Sequence, residues 1–203
     1  MNFNWVTLTP SQDAYVAEFY PAINFGGSQF LYVSNYLTCN DVYRTLIQFD
    51  LCESCKSIPL TCKIKKAFLE LKVYRNEVCG TIDLKLFRLL NNWSEFVVTW
   101  NNQPPAAVAP EAITPISAGF FGTVTFEITD LVRGWHNGTF VNNGLIIKGD
   151  EGQNNLVGFF SKEYSNSDYW PRLKIIFDCP DSDKFIFAEK ANIYNAACQE
   201  LDD

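Results

Sequence analysis

Alternation of apolar and polar residues recurs along this chain and limits its fold more than any other feature. In KKAFLELKVY, Ala67, Leu69, Leu71 and Val73 fall on one side, with Phe68, Glu70 and Lys72 on the other. TVTFEIT sets Val124, Phe126 and Ile128 against Thr123, Thr125 and Glu127, and RLKIIFD sets Leu173, Ile175 and Phe177 against Arg172, Lys174 and Asp178. Successive side chains of an extended chain point to opposite faces, so a period of two marks a strand buried on one face. Further candidates lie near 4–9, 13–18, 30–34, 43–50, 83–90, 97–101, 144–148 and 157–161, which brings the expected strands to about ten and points to two packed antiparallel sheets. One helix is expected in TDLVRGWHNG, with Thr129 or Asp130 as N-cap and Gly138 as its stop. The proline-rich stretch 103–120 reads as a long surface connection.

Several ordered blocks carry a family resemblance. QDAYV (12–16), NFGGSQFLYVS (24–34), YRTLIQFDL (43–51), IP (58–59) and IKKAFLELKVY (64–74) come first. LFRLLNNWSEFVVTWNNQP (86–104), FEITDLVRGWHNGTFVNNGLIIKG (126–149) and FFSKEYSNSDYWPRLKIIF (159–177) complete the set. The chain resembles the DNRLRE domains, which are related to disaggregatase-type repeats and to a carbohydrate-binding module family found beside alginate lyases. The resemblance implies a jelly-roll-like β-sandwich of bacterial and archaeal surface proteins, and it implies no catalysis. The expected fold is thus an all-β, two-sheet antiparallel sandwich with one short helix. It would occupy residues 1–178, with a C-terminal extension over 179–203.

The formal net charge of −7 gives no general attraction for nucleic acid. No apolar run reaches the length needed to cross a bilayer, and the first residues show no signal-peptide pattern. Catalysis has little to work with. His136 is the sole histidine and reads as a helix-end residue meeting the last carbonyls. Glu95 and Asp130 are the nearest to a carboxylate pair, with nothing to set their separation. No catalytic residue, cofactor or metal is assigned, and the chain is expected not to be an enzyme.

Trp93, Trp100 and Trp135 read as core pillars with bonded indole N–H groups. Trp5, Tyr164, Tyr169 and Trp170 fall at an end or in the polar loop KEYSNSDYW, where exposed rings would stack on sugars. Asp150 and Glu151 form a weak candidate for structural calcium. Cys39, Cys52, Cys55, Cys62, Cys79, Cys179 and Cys198 are disulfide candidates, mainly as staples of the inserted loop CESCKSIPLTC. Cys52, Cys55 and Cys62, joined by Cys39 or Cys79, have partial zinc spacing.

Beyond the last matched strand, the tail carries Phe185, Phe187, Ile193, Tyr194 and Cys198 at strand-like and helix-like spacings. Such rings call for a surface to cover them. The leading expectation is therefore a structural surface protein that self-assembles into a filament, coat or appendage, by tail docking and intersubunit disulfides. The alternative is a carbohydrate-binding module for a surface or extracellular polysaccharide. Either places the protein outside the cell or on a cell or spore surface.

Overall fold

The alternating runs pair as expected. A computed structural model describes residues 4–36, 41–51 and 58–180. Among them the chain forms β1 (Asn4–Leu8), β2 (Gln12–Ala17), β3 (Phe30–Asn35), β4 (Val42–Gln48), β5 (Lys63–Asn76), β6 (Thr81–Arg88), β7 (Ala112–Ser117), β8 (Thr123–Glu127), α1 (Thr129–His136), β9 (Leu145–Lys148), β10 (Val157–Phe160) and β11 (Arg172–Asp178). All the strand pairs are antiparallel. One layer runs β1–β11–β5–β8 and the other β7–β6–β9–β4–β2. The pair β10–β3 joins the end of β5 to the start of β4, so the sheet curls over on itself.

The main core fills the space between the layers. Leu69, Leu71, Phe126, Leu173, Ile175 and Phe177 come from one side, and Ile47, Leu84, Leu86, Leu145, Ile147 and Phe159 from the other. A smaller apolar cluster lies outside the second layer. There Leu46 and Ile146 point outward and are covered by Leu89, Val98, Trp93 and Trp100 from the segment between β6 and β7. Helix α1 packs Leu131, Val132 and Trp135 into the main core.

Four local expectations are corrected. The segment 97–101 is a turn leading into a 3-10 turn at Trp100–Asn102, because Asn102 accepts from Thr99 N at 2.6 Å and donates to Val97 O at 3.2 Å. These local bonds take groups that a strand would offer to a neighbour. The stretch 103–120 holds β7, whose register runs from Thr81↔Ser117 to Leu86↔Ala112. Pro115 is tolerated there because β7 pairs only with β6. Thr129 does not cap α1. Its hydroxyl accepts from Ala67 N at 3.1 Å and donates to Glu127 Oε1 at 3.2 Å. Gly138 does end the helix region, with a φ of 78° that favours glycine. His136 meets the carbonyls of Ile58 and Pro59, at 3.2 and 3.1 Å, rather than those of its own helix.

One disulfide is present among the described residues, Cys62–Cys179. It joins the residue before β5 to the residue after β11, next to the Lys63↔Asp178 pair. The bridge thus staples the end of a strand ladder at the last residue of the inserted loop. It also removes Cys62 from the zinc set. Cys79 is an exposed free thiol. Cys179, the first residue of the expected extension, is buried in the main core. Cys39, Cys52, Cys55 and Cys198, with the tail residues Phe185, Phe187, Ile193 and Tyr194, lie outside the described residues. No described helix is long and apolar enough to cross a membrane.

Candidate functional site

Strand register builds a groove on the outer face of the second layer. Leu46, Ile146 and Phe87 form one outward row across β4, β9 and β6, roofed by the β6–β7 segment. The next outward row is Arg44, Lys148 and Lys85, which the roof reaches only at Arg44. Two adjoining clefts lie along it, of about 360 and 440 Å³, with Glu151 in the wall of both. Trp100 and Glu18 flank the first, while Phe87 and Asp83 flank the second. The turn after Glu18 carries the exposed rings of Phe19 and Tyr20. It is tied to the roof by Asn101 N donating to Pro21 O at 3.0 Å.

The groove side chains are held in place. Arg44 makes a bidentate pair with Glu151, at 2.7 and 2.9 Å, and donates to Gln103 Oε1 at 3.1 Å. Its guanidinium lies 4.4 Å from the centre of the Trp100 ring. Such an anchored fork is stiffer than a free surface arginine. Lys148 and Lys85 are direct cross-strand partners of like charge, an arrangement that costs stability unless something compensates. Burial, and then the Arg44 charge, push the Lys148 ammonium below its ordinary pKa, against the pull of Glu151. Its Nζ sits 5.3 Å from the centre of the Phe87 ring. The groove therefore offers donors and acceptors side by side, with an aromatic ring beside each cleft.

The expected platform residues divide into two places. Tyr164 and Tyr169 lie together against Phe160, with centroid distances of 4.5 and 4.7 Å, and Trp170 Nε1 donates to Tyr164 O at 2.6 Å. The ring contacts continue through Phe30 and Tyr74, stacked at 4.0 Å, to Tyr32, whose hydroxyl bonds that of Tyr74. These rings brace one another, and Lys72 Nζ covers Tyr169 at 3.9 Å. Trp5 stands apart on the edge strand β1, 72% exposed.

Other sequence candidates fall as follows. Glu95 is buried beside Lys162, whereas Asp130 is on the surface of α1 and pairs with Arg133 at 2.8 Å, so the two carboxylates do not meet. Asp150 accepts from Gly152 N and Asn155 Nδ2, and Glu151 is engaged by Arg44. Trp93 donates to Asn143 O at 3.0 Å, as a pillar should. Trp135 is buried but its indole N–H finds no acceptor among the described residues, contrary to expectation. Trp100 serves both the outer cluster and the groove wall. Sequence reasoning missed Arg44, Lys85 and Lys148. Their outward positions in alternating strands were visible, but their common row depends on a register between distant strands.

The model of carbohydrate-binding module family 96 matches residues 4–176, and the chain belongs to that family. The match bears out the carbohydrate-binding-module side of the resemblance. No curated protein matches the chain.

Proposed function

We propose that the protein is a non-catalytic carbohydrate-binding module that takes a polysaccharide chain along the Arg44–Lys148–Lys85 groove. The family match carries the reading, since it spans every strand that builds the groove. The chemistry supports it. Sugar rings present apolar C–H faces that stack on aromatic side chains, and hydroxyls that bond charged donors and acceptors. Trp100 and Phe87 offer the former, while Lys85, Lys148, Asp83 and Glu151 offer the latter. The protein then acts outside the cell or at a surface, where such polymers are. Tail-driven self-assembly rests on residues outside those described, and the family favours the binding reading over it.

Affinity gel electrophoresis against a panel of neutral and anionic polysaccharides tests this. The wild type should be retarded by at least one, and Trp100→Ala or Lys148→Ala should weaken that binding by about tenfold or more, equivalent to ~1.4 kcal/mol. Retention by none of the polysaccharides would end the proposal. Loss of binding in Trp170→Ala or Trp5→Ala, with Lys148→Ala unaffected, would move the site to those rings.

A further inference from the structure

A second charged cluster is buried away from the groove. It gathers Asp13 of β2, Glu95 of the β6–β7 segment, and Lys162 and Glu163 just after β10. Asp13 is 0% exposed and Glu95 is 6% exposed. The backbone fixes both. Asp13 N donates to Glu95 Oε1 at 2.8 Å, and Lys162 N donates to Asp13 Oδ2 at 3.0 Å. Glu95 N donates to the Gln12 side chain at 3.0 Å. Gly26 lets the chain pass close by, since a Cβ there would lie 2.2 Å from Glu95 O.

Lys162 is the one cation in the cluster. Its Nζ stands 2.9 Å from Glu95 Oε1 and 2.6 Å from Glu163 Oε1. Three carboxylates against one ammonium leave two negative charges, which the interior does not tolerate without a partner. Two oxygens show where that partner is wanted. Asp13 Oδ1 and Glu163 Oε2 are buried and accept from no donor among the described residues.

One oxygen from each of Asp13, Glu95 and Glu163 lies within 4.8 Å of the others. Calcium holds its oxygen ligands at about 2.3–2.6 Å, so two ligands on opposite sides of the ion stand at most roughly 5 Å apart. Magnesium, at about 2.1 Å, demands near-ideal octahedral geometry and gives up its waters reluctantly, so a buried cage of protein oxygens suits it less. A donor set made only of carboxylate oxygens suits either of these hard ions better than zinc or copper.

We propose that Asp13, Glu95 and Glu163 bind one divalent cation, calcium by its tolerance of an irregular all-oxygen site, which ties β2, the β6–β7 segment and the loop after β10 together. The ion balances the two surplus charges and satisfies both orphaned oxygens. In its absence burial and then the charge of Glu163 push the Asp13 carboxyl up to about 8, so the empty cluster takes up a proton where the ion would sit. This site is distinct from the Asp150–Glu151 pair, whose carboxylates already have partners.

The test uses the full chain, stripped with a chelator and dialysed. Calcium chloride titrated into it calorimetrically should bind at one site per chain, and saturating calcium should raise the melting temperature by several degrees over the chelated sample. Magnesium should do less. Glu163→Gln keeps the shape of the side chain, and it should lose both binding and shift, as should Asp13→Asn. Glu151→Gln should keep both. If a buried variant fails to fold, competition between the wild type and a chromogenic chelator still reads binding directly. No binding and no shift in the wild type would overturn the proposal, as would a shift that survives in Glu163→Gln. A wild type indifferent to calcium, whose melting temperature falls steadily from about pH 4 to about pH 8, would mean that the two oxygens share a proton, and that too defeats it.

Discussion

Replacing Cys62 and Cys179 together by serine should lower the stability of the protein by about 3–5 kcal/mol, read as an earlier urea midpoint with a somewhat steeper slope, because the unlinked unfolded chain exposes more surface. The bridge closes a loop with a sequence separation of 117 residues. In the chain-entropy account, the bridge takes from the unfolded state the freedom of an open loop, and that loss grows with loop length. The folded structure should change little, since β5 and β11 keep their ladder from Lys63↔Asp178 to Glu70↔Arg172. Reductant added to the wild type should move the midpoint in the same direction, and should leave that of the double variant where it is. A double variant that melts with the wild type under oxidising conditions would show that the ladder alone holds this edge.

Truncating Phe126 to alanine is expected to cost about 3–5 kcal/mol, measured by thermal or urea unfolding. Phe126 is among the largest fully buried side chains and sits on β8 opposite Leu69 of β5, at the centre of the space between the layers. Two packed sheets have little freedom to close around a missing ring, so the loss includes a cavity as well as the transfer of the ring from water. Phe121, exposed and outside the core, is the contrast: Phe121→Ala should stay within about 0.5 kcal/mol of wild type.

The parts of the fold legible in the sequence are those with local causes. β5, β8 and β11 show their buried faces as plain alternation, and Ala67, Leu69, Leu71, Val124, Leu173 and Ile175 all reach the core. β7 was hidden because Pro110 and Pro115 give its segment the look of a loop, and only the pairing with β6 shows that an edge position admits them. Val98 and Trp100 give part of the β6–β7 segment the look of a strand. They are instead a roof over outward-pointing Leu46 and Ile146. The groove and the acidic cluster were illegible for a stronger reason. Lys85 meets Lys148, and Asp13 meets Glu95 and Glu163, through contacts spanning tens of residues, and no local pattern encodes them.

Asn4 is paired with Phe177, so the first and last described strands begin and finish side by side. Tension drawn through the two ends would open the β1–β11 ladder rung by rung from that corner, the geometry that resists least. The sulfur bridge changes the path. Load arriving at Cys179 passes straight to Cys62 at the head of β5, the longest strand, and bypasses β11. A tethered module of this design would give up β1 under strain and keep its groove intact.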